Sequence, residues 1–368
     1  MIARTSRVGL AGVFIFASLL GGCVPTTTDS NGNVVPTVDN GTNDSFNSAT
    51  ALAINNDAIS LTGSIVAGGD IDMYEIGALS AGDRVVIDVR ATSGDLDGVA
   101  ALFDTNQNMH AFNDDRASDS SNLNPLIDVV VRRDDKYFVG IVAFPGGATT
   151  GNYTLTVTIT RGVGVPNQSG QIVFLDWNGG QNLRVKNVGT FNLPAFSATD
   201  VGINAALTDA LKARVAEIIR DRFTGFKLNL MNSDDDAIPA AAHSTVFFGG
   251  ANTRAFAISE QIDTENEDPS DNAIVFTGSF LAAFQGIPSF EQMATALGNT
   301  VSHEVGHLLG LVHTKDCAAL MDTSCGNNAL LRDQAFKRAQ LDDSVFPIGF
   351  QDALQLVGWA IGTTDTAQ

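Results

Sequence analysis

Three of the five histidines in this 368-residue chain fall within eleven consecutive residues, His303-Glu304-Val305-Gly306-His307-Leu308-Leu309-Gly310-Leu311-Val312-His313. The preceding apolar residues recur at helical spacing, so His303 and His307 are predicted one turn apart on one helix face, roughly 6 Å apart along the axis. Gly310 is predicted to end this helix, because glycine readily adopts the left-handed conformation of a helix end. The turn there would let His313 come back toward the other two imidazoles.

These histidines have the spacing of a metal site. Three neutral imidazoles bind Zn²⁺ at about 2 Å and leave the fourth tetrahedral position for water, whose pKa the ion lowers to about 7. Glu304 lies about 100° around the helix from His303, too far round to be an equivalent ligand but close enough to touch that water. It would accept a proton from the zinc-bound water and deliver it to a leaving amine. The remaining histidines, His110 and His243, show no such spacing and are predicted to lie at the surface.

The eleven-residue segment resembles the zinc-binding motif of the metzincin clan of metallopeptidases, in which His303, His307 and His313 would be the metal ligands and Glu304 the catalytic base. The segment Ala319-Leu320-Met321-Asp322 follows at a suitable distance and resembles the Met-turn of that clan. The resemblance implies that Met321 packs beneath the histidines as a steric support. It also implies an α/β (α+β) catalytic domain with a mixed sheet, an active-site helix and an edge strand that pairs with extended substrate.

Two features of the chain depart from the clan. His313 is followed by Thr314, which assigns the chain to none of its families. All three tyrosines precede residue 161, so the tyrosine that some families place after the Met-turn is absent. The substrate-pairing edge strand is expected within residues 244–262, near Thr245–Gly249.

The first residues have the pattern of an export signal. Arg4 and Arg7 precede the uncharged apolar run Val8–Leu20, which is too short to span a bilayer comfortably. The following Leu20-Gly21-Gly22-Cys23 resembles a bacterial lipobox. We predict a signal peptide at residues 1–22, lipidation of Cys23 and a flexible tether at residues 23–43, which would make this an exported bacterial lipoprotein of the outer membrane or cell surface. The alternative is an ordinary signal peptide with an incidental cysteine.

The two other cysteines, Cys317 and Cys325, lie eight residues apart on either side of Met321. In an oxidising compartment a disulfide is the expected state of such a pair. It would pin the turn that contains Met321. The alternative is two thiols or soft metal ligands, although nothing nearby completes a cysteine and histidine zinc pattern.

Residues 44–161 alternate between apolar and polar side chains. Tyr153, Leu155, Val157 and Ile159 are interleaved with threonines, and Asp83–Arg90 repeats the pattern. Short strands separated by glycine, asparagine and aspartate predict an all-β antiparallel sandwich.

The same region resembles the bacterial pre-peptidase C-terminal domain in five segments, which are Asp44–Ala49, Gly69–Tyr74, Leu102–Asp104, Asn113–Asp115 and Gly151–Leu155. Such modules accompany secreted peptidases and are associated with substrate binding or secretion. The resemblance also implies a structural Ca²⁺ site, with candidate oxygens from Asp70, Asp72, Asp104, Asp114 and Asp115. The alternative is that these acids cap turns and stay solvated.

After a linker at residues 162–170, residues 171–363 mix strand and helix patterns, and residues 364–368 form a tail. Strands are predicted at Gln171–Asp176, Phe226–Leu230, Ser244–Phe248 and Arg254–Ile262. Helices are predicted at Ala205–Phe223, around the histidine motif, and at Phe350–Ile361. The acidic run Asp263–Asp271 is predicted to be a solvated loop, with calcium binding as the alternative.

The formal net charge of −20 makes nucleic acid an improbable partner, because an acidic surface repels phosphates. The chain is therefore predicted to be a zinc-dependent metalloendopeptidase that hydrolyses proteins or peptides outside the cytoplasm. Two alternatives remain open. One is an adhesin or nutrient-binding lipoprotein with a vestigial metal site, and the other is a zinc hydrolase acting on another amide, such as a cell-wall peptide.

Overall fold

The structure is a computed structural model that describes residues 41–116, 122–284, 286 and 288–364, together with a short strand pair at residues 27–28 and 34–35. The predicted signal peptide, the predicted lipidation site Cys23, most of the predicted tether and residues 365–368 of the tail lie outside the described residues. Among the described residues, no helix combines the length and the apolar character that a membrane span needs.

The strands are β1 (Thr27–Thr28), β2 (Val34–Val35), β3 (Thr50–Ala51), β4 (Ala58–Ile65), β5 (Ile71–Leu79), β6 (Arg84–Ala91), β7 (Gly98–Phe103), β8 (Met109–Asn113), β9 (Leu126–Val130), β10 (Asp135–Ala143), β11 (Gly151–Thr160), β12 (Gln171–Asp176), β13 (Gly180–Val185), β14 (Gly189–Leu193), β15 (Leu228–Asn232), β16 (Ser244–Phe248), β17 (Ala257–Ser259), β18 (Asn272–Val275), β19 (Thr314–Lys315), β20 (Arg338–Leu341) and β21 (Phe350–Asp352). The α-helices are α1 (Thr208–Arg222), α2 (Phe290–Leu308) and α3 (Ala353–Ile361).

The first region, residues 44–161, is β-rich, as the alternating pattern predicts. One sheet has the order β3-β5-β10-β7-β8 and the other β4-β11-β6-β9, with antiparallel pairing except between β3 and β5. Their inward residues, among them Tyr74, Val139, Tyr153 and Leu155, form one buried apolar cluster between the sheets. The period-2 alternation of β11 puts its threonines on the opposite, more accessible face.

The second region, residues 171–363, is an α/β unit built on the mixed sheet β15-β12-β16-β18-β17. The first four strands are parallel, and β17 pairs antiparallel with β18 at the edge. Helices α1 and α2 contribute to the main core with the inner faces of these strands. The helices approach closely at Gly298, where an added Cβ would lie 2.6 Å from Cγ2 of Ile218. On the other face, the hairpin β13–β14 packs on Ile258 and Ile274.

One expectation for this region is wrong, and two predicted helices are confirmed with shifted starts. The strand at Thr245–Gly249 is not a sheet edge, because β16 lies between β12 and β18, and the edge strand within residues 244–262 is β17. The predicted helix from Phe350 begins at Ala353, since residues 350–352 pair with β20 and Asp352 caps the helix through the N–H of Gln355. The helix predicted from Ala205 begins as an α-helix at Thr208, after a short 3-10 turn.

The acidic run 263–271 is also not a solvated loop at its two ends. Asp263 and Asp271 are both buried. The Asp263 carboxylate accepts the N–H groups of Glu267 and Asp268 at 3.0 and 2.8 Å. Asp271 accepts the hydroxyl of Ser244 at 2.9 Å. The Asp271 bond ties one end of the segment to β16, and the N–H of Asp263 ties the other end to α2 by donating to the carbonyl of His307 at 3.0 Å.

A further sheet, with the strand order β19-β20-β21, lies between the two regions. Phe346, which follows β20 in the chain, belongs to an apolar cluster with Phe103 of β7 and Phe138 of β10. The same cluster contains Val312. An added Cβ on Gly140 would lie 2.7 Å from the Phe346 ring, so the close approach depends on glycine. The two regions are therefore joined by a continuous buried contact rather than by the linker alone.

Candidate metal centre

Helix α2 carries the first part of the motif in its last two turns. It begins at the cap Ser289, whose side chain accepts from the N–H of Gln292 while the Gln292 side chain accepts from the N–H of Ser289. It ends where Gly310, with φ of +89°, donates its N–H to the carbonyl of His307 at 2.9 Å. An added Cβ on Gly310 would lie 2.9 Å from the Cα of Thr264. The sharp turn and this close approach both require glycine, and they return the chain toward the helix.

The turn brings the three histidines of the motif together. The Nε2 of His307 lies 3.1 Å from the Nε2 of His303 and 3.1 Å from that of His313. Zn–N bonds of about 2.0–2.1 Å at tetrahedral angles place ligand nitrogens about 3.3 Å apart. Two of the three separations are therefore close to what one small tetrahedral cation needs, and all three nitrogens lie within 4.8 Å of one another.

The tautomers of two rings show why a cation fits between them. The Nδ1 of His303 lies 2.7 Å from the carbonyl of Leu320, and the Nδ1 of His307 lies 2.7 Å from the carbonyl of Leu311. A carbonyl only accepts, so each Nδ1 carries the proton and each Nε2 presents a bare lone pair. Two lone pairs 3.1 Å apart cannot bond to each other. A shared cation satisfies both, and the backbone carbonyls orient the rings toward it.

The buried setting keeps these imidazoles neutral. Burial lowers the pKa of His303 to about 3 and lowers the pKa values of His307 and His313 well below the ordinary value for histidine. Neutral imidazole is the form that binds metal, because protonation removes the lone pair. The donor set therefore suits Zn²⁺, since three nitrogen ligands leave one tetrahedral position for another ligand.

Glu304 lies beside the histidines and is 3% exposed. Burial raises its pKa, and hydrogen bonds from the backbone and hydroxyl of Ser259 on β17 oppose that rise. Within the described residues its Oε2 has no hydrogen-bond partner. A buried carboxylate oxygen without a partner suits a group that exchanges protons with a bound molecule.

Ser259 is a site residue that the sequence did not indicate. A lone serine in a strand has no distinctive spacing, and its contact with Glu304 depends on how β17 packs beside α2. The only available signal was the expectation of an edge strand within residues 244–262, because β17 falls inside that range.

The segment after His313 packs against the same helix. Met321 is buried, and an added Cβ on Gly306 would lie 2.7 Å from its sulfur. The neighbouring Leu320 supplies the carbonyl that holds His303. Cys317 and Cys325 form the predicted disulfide around this turn, with Cα atoms 5.6 Å apart. The structure thus places Met321 against α2 between the positions of His303 and His307.

The prediction that His110 and His243 are surface residues is wrong for His110. Its side chain is buried and lies 3.0 Å from Oδ2 of Asp104, with its ring centroid 4.7 Å from that of Trp359. Trp359 belongs to α3, so this histidine lies at the boundary between the two regions. His243 is half-buried, and its Nδ1 lies 2.8 Å from the carbonyl of Ala241.

The proposed calcium oxygens do not converge. In the part of the chain that the structure describes, metal-ligating side chains gather in two places, at the three histidines and at Cys317, Asp322 and Cys325, whose cysteines are already bonded to each other. Asp72 instead bonds the hydroxyl of Tyr153 at 2.5 Å, and Asp104 bonds His110 and Arg133. The structure gives calcium no support at these acids.

Comparison with protein families gave no match, and neither did comparison with characterised protein sequences. Some solved structures are similar to parts of the chain. The pre-peptidase C-terminal domain of collagenase from Bacillus anthracis is 20% identical, covers 30% of this chain and 94% of its own, and has a TM-score of 0.24. A zinc-dependent peptidase from Methanocorpusculum labreanum is 12% identical over 45% of this chain and 94% of its own, with a TM-score of 0.27. Archaemetzincin from Methanopyrus kandleri is 14% identical over 46% and 90%, with a TM-score of 0.28. These scores are too low to carry an argument about function.

Proposed function

We propose that the chain is a zinc-dependent metalloendopeptidase of the metzincin type that hydrolyses peptide bonds outside the cytoplasm. The observation that carries the proposal is the convergence of three neutral imidazoles, two of them with bare Nε2 lone pairs, beside the unpartnered Oε2 of the buried Glu304. His303, His307 and His313 would hold Zn²⁺. Met321 would support their positions from beneath the helix, and Gly310 would permit the turn.

The chemistry divides between the ion and the protein. A bound Zn²⁺ supplies Lewis acidity, which polarises the scissile carbonyl and lowers the pKa of water. Glu304 accepts the proton of the attacking water at Oε2 and passes it to the nitrogen of the leaving amine. Its raised pKa suits this exchange, because a base that holds the proton briefly must also be able to release it. Ser259 lies beside the carboxylate and favours its ionised form.

The edge strand β17 offers a way to bind an extended substrate. In the described part of the chain it pairs on one side with β18 and carries no strand on the other. An extended peptide can add to such an edge through main-chain hydrogen bonds, which recognise peptides with little regard to sequence. Since Ser259 of β17 contacts Glu304, a peptide paired there would lie next to the general base. Protein and peptide substrates are therefore favoured over small amides.

The location outside the cytoplasm belongs to the same proposal. It rests on the predicted signal peptide and on lipidation of Cys23, which would anchor the protein to a membrane. The Cys317–Cys325 disulfide supports it, because disulfides persist in oxidising compartments. Labelling of the protein with a radioactive fatty acid, compared between the natural chain and Cys23→Ser, tests the anchor.

Metal analysis combined with a digestion assay tests the enzyme proposal. We expect the purified protein to contain stoichiometric zinc and to digest casein or gelatin until a zinc chelator is added. His307→Ala should lose both zinc and activity. Glu304→Gln should keep zinc and lose about 10²- to 10⁴-fold in kcat, because only the general base is removed. His243→Ala, a histidine outside the site, is the control and should match the natural protein.

The other outcomes separate the alternatives. Zinc-loaded protein that leaves casein and gelatin intact but opens cell-wall peptides would replace the endopeptidase proposal with hydrolysis of another amide. If bacteria that carry Glu304→Gln behave like those with the natural protein, the result would instead favour an adhesin or binding protein with a vestigial metal site.

A further inference from the structure

The third histidine is held differently from the other two. His303 and His307 each donate an Nδ1–H to a backbone carbonyl, whereas no protein group in the described residues bonds the Nδ1 of His313. The ring of His313 is thus oriented by its main chain. Whatever fixes the backbone around residue 313 controls the third ligand.

A buried glutamine holds the peptide groups of the residue just before it. The Oε1 of Gln351 accepts the N–H of Val312 at 2.7 Å, and the Nε2 of Gln351 donates to the carbonyl of Val312 at 2.9 Å. Both residues are 0% exposed. A primary amide is the one uncharged side-chain group with a donor and an acceptor in this planar arrangement. The two bonds span 39 positions in the sequence and fix both polar groups of Val312 at once.

The residues after His313 are tied to the same small sheet. The carbonyl of His313 accepts the N–H of Asp342 at 3.0 Å, and Thr314 of β19 pairs with Leu341 of β20. Gln351 lies on β21, which pairs with β20. The sheet therefore forms hydrogen bonds with the chain both before and after His313.

Hydrogen bonds from the first region also hold this sheet in place. Arg338 of β20 donates from Nε to the Oδ1 of Asn108 at 2.6 Å and from a terminal nitrogen to the carbonyl of Asn106 at 2.8 Å. The N–H of Phe350 donates to the carbonyl of Gln107 at 2.9 Å. The turn between β7 and β8 therefore fastens both strands that position Gln351.

We propose that Gln351 is a positioning residue for the third metal ligand. Through the Val312 peptide it sets the direction in which His313 points, and the sandwich region supports it through the turn at residues 106–108. The inference rests on the proposed zinc site. It assigns a function to a glutamine that contacts neither metal nor substrate, and it makes the first region part of the metal centre's support.

Zinc affinity of the full chain, measured by competition with a chromogenic chelator, tests the proposal. Gln351→Met keeps the length of the side chain and removes both hydrogen bonds. We expect the zinc dissociation constant to rise about ten- to hundredfold, as for other residues that orient metal ligands indirectly. Gln171→Met is the matched control, because Gln171 is a buried glutamine of the same region that bonds Ser244 and Pro269 rather than the ligand loop. Its zinc affinity should stay within twofold of the natural value.

A second readout separates positioning from general destabilisation. With Co²⁺ in place of zinc, the visible absorption bands report coordination geometry, and we expect them to change in Gln351→Met but not in Gln171→Met. If Gln351→Met does not fold, Gln351→Glu, which keeps an acceptor for the Val312 N–H, is measured with the same expectation of weaker zinc binding.

The failures are distinguishable. Natural affinity and natural cobalt bands in the folded Gln351 variant would overturn this inference and leave the proposed zinc site standing. A natural protein that binds neither zinc nor cobalt would overturn both.

Discussion

The two regions of the molecule treat buried carboxylates in opposite ways. In the first region, burial alone would raise the pKa values of Asp83, Asp88 and Asp104, but hydrogen bonds and charges from neighbouring arginines and a histidine outweigh it and lower them. In the second, burial raises the pKa of Asp263 to about 6 and that of Asp271 to about 8. Neither of these has a basic partner in the described residues. These three acids of the first region are held in the ionised form, whereas Asp263 and Asp271 of the second bind their protons more tightly than an ordinary carboxyl group does.

This difference gives the two regions opposite dependence on pH. A carboxyl group whose pKa is lowered on folding stabilises the fold above its unfolded pKa, and this contribution is lost as the pH falls through the folded pKa. A carboxyl group whose pKa is raised binds its proton more tightly in the folded state. Its contribution is complete below the unfolded pKa and is lost as the pH rises through about 6 for Asp263 and about 8 for Asp271.

The largest effect is expected at Asp104, in the first region. Its carboxylate is fully buried and bonds Arg133, His110 and both nitrogens of Asn108. Asp104→Asn removes the buried charge that Arg133 and His110 face, while Arg133 keeps its contact with Asp135 at 3.0 Å, so we expect the free energy of unfolding at pH 7 to fall by about 2–3 kcal/mol. Urea unfolding followed by circular dichroism measures it. The loss should shrink as the pH falls through the lowered pKa of Asp104, because the natural aspartate then becomes protonated as well. A loss under 1 kcal/mol at pH 7 would mean that the first region does not depend on this ion pair.

The opposite sign is expected at Asp271, in the second region. Asn can still accept the hydroxyl of Ser244 through Oδ1, and it cannot ionise. Asp271→Asn should therefore raise the free energy of unfolding at pH 9 by about 1–2 kcal/mol and leave it nearly unchanged at pH 4. Unfolding curves at the two pH values measure the difference. Equal or lower stability of the variant at pH 9 would show that the natural carboxylate ionises there without cost, and the contrast between the regions would fail.

These contrasts show what the sequence could and could not predict. The convergence of the three histidines followed from local rules, since two lie one helical turn apart and a glycine turn returns the third. The β-rich class of the first region followed from period-2 alternation in strands such as β11. Strand order was not predictable in the same way: β16 and β17 are both short strands rich in apolar residues, and their places at the centre and edge of the sheet depend on neighbours far along the chain.

Burial of polar groups was the least predictable property. An acidic run such as 263–271 has the composition of a solvated loop, and only tertiary contacts with Ser244 and the end of α2 bury its ends. Ser259 and Gln351 reach the site from strands distant in sequence, and a single serine or glutamine leaves no periodic pattern. Positions that support a site through the backbone or through another side chain are therefore visible in the fold and silent in the sequence.

The smallest effect is expected at an ion pair between the two regions. Nε of Arg132, next to β9, lies 3.2 Å from Oε1 of Glu265, and their side chains are 5% and 25% exposed. Burial raises the pKa of Glu265, and Arg132 reduces that rise without cancelling it. A double-mutant cycle with Arg132→Met and Glu265→Gln should give a coupling free energy of about 1 kcal/mol at pH 7. The coupling should fade as the pH drops below the raised pKa, because a protonated Glu265 carries no charge for Arg132 to attract. A coupling that persisted unchanged at pH 3 would mean that the pair acts through packing and that this contact between the two regions is not electrostatic.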